Sequence, residues 1–268
     1  MIYDWVDVVV SVPGKEHHGV LPYDMGMAFQ GQEFEIRRVL NAPPFQLLTA
    51  TNGLRAQHEI QGHQLRRSIR ETLGRNPKLR TKFGRPDPDS DRLYLPHIVH
   101  TSGQSSRCTE TCGNDSSNLV IRPERTAAKD GIAIHHGLIA YGNSVCRDAN
   151  LREKFAQKGV LCFEMEAAGL INYFPCIVIR GTCDYSDSHK NKYWQGYVVV
   201  TAAAYANDLL KHVAPSRVAT RRNMRACSTK WLTSHYSSLL MTPEYIRTQN
   251  INQEAIYFPS LFDRHLFS

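Results

Sequence analysis

The most constraining feature of the sequence is a strand–helix–strand–helix pattern between residues 160 and 213. Two short apolar runs, VLCF (160–163) and CIVIRGTC (176–183), are each followed by a stretch with helical character. Apolar residues spaced three or four apart mark one face of the second helix: Trp194, Val198, Ala202, Tyr205 and Leu209. Alternating strands and helices predict parallel strands joined by right-handed crossovers. We therefore expect an α/β fold.

The upstream half of the chain gives weaker signals for secondary structure. The segment WVDVVVSV (5–12) is rich in β-branched residues and predicts a strand. Pro43-Pro44 opens a predicted helix whose apolar positions begin at Phe45. A second helix is expected over about 64–73, and IAIHHGLIA (132–140) predicts another strand.

The distribution of periodic and non-periodic segments predicts one domain and a tail. We expect a single domain over residues 1–213 that contains a loop-rich insertion at 75–130. Residues 214–268 carry 7 basic and 3 acidic side chains and no clear period. We therefore expect this basic tail to be disordered or weakly structured.

Composition and charge exclude several classes of protein. The net charge is +7, but the excess lies in residues 61–130 and in the tail, which favours solvated surface over a nucleic-acid interface. No run approaches the roughly 18 apolar residues of a membrane helix. Acidic residues near the N-terminus argue against a signal peptide, and cysteines inside apolar runs are typical of reduced proteins. These features predict a cytoplasmic protein that binds neither membranes nor nucleic acid.

Acidic residues follow both strands of the 160–213 pattern. Glu164 and Glu166 come after the first strand, and Asp184 comes after the second. If the strands are neighbours and parallel, their carboxyl ends share one edge of the sheet, where open α/β sheets bind ligands. The alternative is that these acids cap the helices that follow. Two acids at one strand end, matched by an aspartate at the next, favour a binding site.

Two motifs carry a family resemblance. FEMEAAG (163–169) and IRGTCDYSD (179–187) resemble the purine and uridine nucleoside phosphorylase family, and in particular a fungal branch that is often attached to NTPase or repeat domains. The similarity continues through HHGLIAYGNSVCRDANLREKF (135–155) and covers roughly residues 5–213. It implies a three-layer sheet flanked by helices and cleavage of the bond between a purine base and ribose C1′.

The resemblance also implies roles for individual residues. Asp184 corresponds to the catalytic acid that protonates or hydrogen-bonds the purine at N7. Glu166 corresponds to the carboxylate that accepts hydrogen bonds from the ribose hydroxyls, and Met165 packs on the sugar. The other substrate-binding residues that it implies are Phe163, Glu164, Asn143, Val145 and Cys146.

The family's first strands and its glycine-rich phosphate loop have no counterpart before Trp5. We therefore expect an N-terminally truncated member without phosphate-dependent activity, poorly soluble or homo-oligomeric, whose partner is a small-molecule nucleoside. No cofactor is expected, and phosphate would be a co-substrate if the protein is a phosphorylase. The alternative function is a non-catalytic nucleoside-binding or scaffold module left from a multidomain signalling protein.

A second chemical pattern lies in the insertion. Cys108 and Cys112 follow His97 and His100, and these residue types are the usual ligands of zinc. The spacing is irregular and the segment is rich in serine, which favours unliganded surface residues. The sequence therefore predicts no metal site.

Overall fold

A computed structural model describes residues 7–37, 39–100, 108, 112, 115–122, 131–167, 171, 172, 174, 176–189, 192–213 and 255–257. The fold is α/β, as predicted, with a mixed sheet flanked by helices. The strands are β1 (Val8–Ser11), β2 (Val20–Pro22), β3 (Gly26–Met27), β4 (Glu35–Ile36), β5 (Ile134–Tyr141), β6 (Val160–Glu164), β7 (Cys176–Gly181) and β8 (Ala255–Tyr257). The helices are α1 (Phe45–Gln61), α2 (Leu65–Arg75), α3 (Pro77–Phe83), α4 (Ala149–Gln157) and α5 (Gln195–His212).

The sheet is organised around β5. Strand β1 pairs in parallel with the first half of β5, and β2 pairs in parallel with its second half. Strand β6 also pairs in parallel with the second half of β5. Strand β7 runs antiparallel to β1, with Val8 opposite Gly181, and β8 pairs in parallel with β7. Strands β3 and β4 form a separate two-stranded ribbon.

The prediction that β6 and β7 are neighbouring parallel strands is wrong. Strands β5 and β1 separate them, and β7 points in the opposite direction. The physical reason is that β1, more than 160 residues upstream of β7, provides the pairing edge. Apolar runs indicate that strands exist, but they carry no information about which distant strand will pair with them.

Successive side chains of β1 and β7 point to opposite faces of the sheet, so both strands contribute to the core on each face. Val8 and Val10 share a cluster with Ile177 and Ile179, and this face packs against α1, α2 and α5. Val9 and Val178 point to the other face and share a second cluster with Ile139 of β5 and Cys162 of β6, along with other residues. Because β1 and β7 are buried on both faces, each is a continuous apolar run in the sequence.

Several predicted boundaries need correction. The sequence predicts that Phe45 begins the apolar face of α1. In the structure Phe45 is 79% exposed, whereas Leu47 and Leu54 are buried. The described part of the 75–130 insertion contains α3 and contributes the buried residues Phe83 and Leu93 to the structure. Strand β8 is the part of the predicted tail that lies within the described residues. The stretch of predicted helical character after the first apolar run, residues 164–174, lies partly outside them.

Helix α5 approaches the end of β7 very closely. A Cβ atom added at Gly181 would lie 2.3 Å from the carbonyl oxygen of Val198. Glycine at this position therefore permits the contact between α5 and the sheet. Within the described part of the chain, no helix is long and apolar enough to cross a membrane.

This contact gives a prediction about stability. Gly181→Ala should lower the free energy of unfolding by about 1–3 kcal/mol, because the added methyl group must displace helix backbone. Gly53→Ala is the matched control, since Gly53 lies in α1 with no atom within 4 Å of an added Cβ. That change should stabilise the protein slightly through helix propensity. Urea denaturation measures both; equal stability of the two variants would contradict the close packing.

Candidate functional site

A cleft lies beside the carboxyl end of β6, the end of β7 and the start of α5. The space between its lining residues is about 620 Å³, a volume that includes open solvent at the mouth of the cleft. Seven of the eight residues that the sequence singled out line this cleft: Val145, Cys146, Phe163, Glu164, Met165, Glu166 and Asp184. The sequence predicts that these residues lie close together, and the structure places them in one cleft. The reason for that prediction was wrong, because β6 and β7 are not parallel neighbours.

Glu164 is the most buried acidic residue of the cleft, at 2% exposure. Its Oε2 accepts hydrogen bonds from the backbone N–H groups of Glu166 (2.9 Å) and Ala167 (2.8 Å). This is the capping role that the sequence left open, and it fixes the turn that carries Met165 and Glu166. The other oxygen, Oε1, is buried without a hydrogen-bond partner among the described residues.

Burial also sets the ionisation of Glu164. Loss of solvation raises the pKa of this carboxyl group to about 7, although nearby Arg180 and the two backbone N–H groups favour its charged form. A carboxyl group with such a pKa is partly protonated at neutral pH. Glu164 therefore holds a proton inside the cleft under conditions in which an exposed glutamate would be ionised.

Arg180 provides positive charge on the same side of the sheet. It lies in β7, opposite Val9 of β1, and its side chain is only 19% exposed. Its Nη1 lies 3.9 Å from Oε2 of Glu166, whose side chain is 27% exposed. Arg180 therefore places a positive charge beside the Glu166 carboxylate at the cleft wall.

Asp184 reaches the cleft through the loop that follows β7. Its Oδ1 accepts a hydrogen bond from the N–H of Ser186 at 3.0 Å, so the side chain stabilises its own turn. The loop is then fixed to α4, because buried Arg152 donates to the carbonyl oxygen of Tyr185 at 2.9 Å. This contact fixes the turn that carries Asp184, and Asp184 lines the same cleft as Glu166 although β6 and β7 run in opposite directions.

The rest of the cleft wall is largely apolar. Phe163 is buried and packs edge-to-face against Tyr23, with ring centroids 5.3 Å apart. Cys146 is buried, and burial raises the pKa of its thiol, so it behaves as a small apolar group. Val145 is 46% exposed and contributes to the open side.

Asn143 is the predicted site residue that does not line the cleft. Its side-chain oxygen accepts a hydrogen bond from Tyr141 Oη at 3.0 Å, and its backbone N–H donates to Asp24. Tyr23 closes this turn, since a Cβ at Gly142 would lie 2.4 Å from its ring. Asn143 therefore shapes the turn that presents Val145 and Cys146.

Arg180 is the cleft residue that sequence analysis passed over. It lies within the IRGTCDYSD motif, but sequence analysis predicts no role for it. The available signal was an arginine inside an otherwise apolar strand, because a charge in that position needs a partner. Gln195 at the start of α5 also lines the cleft, and nothing in its sequence context marks it.

Comparison with known proteins gives one match. No family model matches the chain, and no solved structure matches it. The chain is 36% identical over 217 residues to a nucleotide-binding leucine-rich repeat (NLR)-like protein of Hyaloscypha variabilis. The match covers 81% of this chain but 20% of that protein, so the chain spans about a fifth of the length of its relative. The resemblance to nucleoside phosphorylases stays a prediction.

The ionisation of Glu164 can be tested through stability. Between pH 4.5 and about 7 the folded protein keeps this proton while the unfolded chain releases it. Glu164 therefore costs stability progressively as the pH rises through that window, and the cost is complete above it. Glu164→Gln removes the titration, so its free energy of unfolding relative to wild type should rise by up to about 3 kcal/mol across the window.

Urea denaturation at several pH values measures this difference. Glu33→Gln is the control, because Glu33 is exposed in the segment between β3 and β4. Its pH trend should follow that of wild type. A constant difference between Glu164→Gln and wild type over the same window would contradict a raised pKa.

Proposed function

We propose that this chain is a nucleoside-binding domain that cleaves the N-glycosidic bond of purine nucleosides. The observation that supports this most strongly is the composition of the cleft. Glu166 and Asp184 line one half-apolar cavity, together with Arg180. Such a cavity offers a carboxylate acceptor for a sugar, an acidic group for a base and an apolar wall for a ring.

Glu166 is the proposed ribose-binding residue. A carboxylate accepts hydrogen bonds from two neighbouring hydroxyls and stabilises positive charge as it develops on the sugar. Nη1 of Arg180 lies 3.9 Å from that carboxylate and provides the positive charge that faces it. Glu164 acts as a positioning residue, because its hydrogen bonds to the N–H groups of Glu166 and Ala167 fix the intervening turn.

Asp184 is the proposed catalytic acid. By donating a proton or a hydrogen bond to purine N7, it would make the base a better leaving group when the bond to C1′ breaks. The bond electrons go to the base, and water or inorganic phosphate adds to C1′. Phe163, Val145 and Cys146 provide apolar surface for the flat base.

The relative's architecture suggests the context of this activity. Because the chain spans about a fifth of an NLR-like protein, we propose that it serves as one domain of a longer protein. The free cysteines of the described chain, four of them buried, fit a reducing compartment such as the cytoplasm. The same relative favours a second candidate function, in which the cleft binds a nucleoside without cleaving it and acts as a recognition module.

Turnover assays test the catalytic proposal. Adenosine, inosine and uridine are incubated with the protein, with and without phosphate, and free base, ribose and ribose 1-phosphate are separated by chromatography. Asp184→Asn should lower kcat by about 10²–10⁴-fold with a smaller effect on KM, since the acid acts mainly in the transition state. Glu166→Gln should lower kcat and raise KM. Formation of ribose alone identifies hydrolysis, and ribose 1-phosphate identifies phosphorolysis.

Glu71→Gln is the matched control, because Glu71 is exposed on α2 and pairs with Arg67. It should retain wild-type turnover. Equal turnover by Asp184→Asn and wild type would remove Asp184 from the mechanism. Calorimetric binding of a purine nucleoside without any release of base would instead support the recognition module.

A further inference from the structure

A cluster of sulfur and nitrogen atoms lies outside the cleft, in the 75–130 insertion. Nδ1 of His100 lies 3.1 Å from Sγ of Cys112 and 3.7 Å from Sγ of Cys108. One potential ligand atom from each of these residues lies within 4.8 Å of the others. His97, the fourth residue of the sequence pattern, is exposed and does not belong to this group.

The distances fit a single bound ion. In a tetrahedral zinc site, Zn–S bonds of about 2.3 Å and Zn–N bonds of about 2.0 Å put neighbouring ligand atoms roughly 3.3–3.8 Å apart. The separations of 3.1 and 3.7 Å lie close to that range.

The surroundings of the cluster are semi-buried and contain another unused nitrogen. Cys108, Cys112 and His100 all have intermediate exposure. The ring of His189 lies 6.0 Å from that of His100 and stacks on Tyr94 at 3.9 Å. His189 is 4% exposed, and its Nε2 is buried without a hydrogen-bond partner among the described residues.

We propose that His100, Cys108 and Cys112 bind one zinc ion. Two thiolates and an imidazole suit zinc, whereas magnesium and calcium prefer oxygen ligands. Three protein ligands leave a fourth position in a tetrahedral site, and buried His189 lies next to the cluster, with its ring 6.0 Å from that of His100. This proposal departs from the sequence-based expectation of unliganded surface residues.

The proposed ion would stabilise a segment, residues 100–112, that contacts a distant part of the chain. The backbone N–H of His100 donates to Ser188 Oγ at 2.9 Å, and Ser188 lies in the loop that follows Asp184. A zinc ion at His100 would therefore hold the insertion against this loop. Its role would be structural, and it does not depend on whether the cleft catalyses a reaction.

Metal content is the primary test. The full chain is purified under reducing conditions without added chelator, and zinc is measured by plasma mass spectrometry. We expect about one zinc ion per chain. Cys108→Ala and Cys112→Ala should each lose most of the metal. Cys176→Ala is the matched control, because Cys176 is a buried free thiol in β7, outside the cluster, and it should retain the zinc.

A second measurement does not depend on the variants folding. Wild-type protein is depleted of metal and titrated with Co²⁺, which should give thiolate-to-cobalt charge-transfer absorption that saturates at about one equivalent and disappears on addition of Zn²⁺. Metal depletion should also lower the melting temperature of the wild-type chain. Three results would each overturn the proposal. They are the absence of the charge-transfer band, wild-type levels of zinc in the Cys108→Ala and Cys112→Ala variants, and a disulfide between Cys108 and Cys112 in the freshly purified protein.

Discussion

The charge of Arg180 is the constraint on which the candidate site depends. This guanidinium group projects from a strand whose other side chains are apolar, and it is only 19% exposed. A cation that has lost most of its hydration must be compensated by nearby negative charge. The carboxylate of Glu166 lies 3.9 Å away, and Glu164 is close enough for its pKa to be lowered by the arginine against the larger effect of burial. The cleft therefore has acidic walls because β7 carries a positive charge.

The same arrangement explains how the loops are organised around the sheet. Glu164 uses one carboxylate oxygen to hold the turn after β6, and Asp184 uses one of its oxygens to hold the turn after β7. Arg152 of α4, with 3% of its side chain exposed, then ties the second loop to α4. Each acidic side chain thus uses one oxygen for local capping, and the second oxygen of Glu164 is buried without a hydrogen-bond partner among the described residues. A residue that caps a turn can also line the cleft, so the two roles that the sequence offers as alternatives do not exclude each other.

The sequence predicted the local elements better than their arrangement. Periodicity located α1, α2, α5 and the apolar strands, because side-chain burial repeats along the chain. The direction of β7 was wrong because its partner β1 is distant in sequence, and long-range pairing leaves no local pattern. Sequence motifs predict the residues of the candidate site. Arg180 lies within one of these motifs, but sequence analysis treats it only as part of a strand. The irregular spacing of Cys108 and Cys112 predicts no metal site, whereas the fold brings His100 close to both thiols.

The most direct test of the central claim is a crystal structure of the chain with a purine nucleoside, with Asp184→Asn used to slow cleavage. The account predicts that the ribose hydroxyls lie within hydrogen-bonding distance of Glu166, that N7 of the base faces residue 184, and that Phe163 and Cys146 contact the ring. Nucleoside bound elsewhere on the chain, or an unoccupied cleft at saturating nucleoside, would contradict the proposal that this acidic cleft recognises nucleosides.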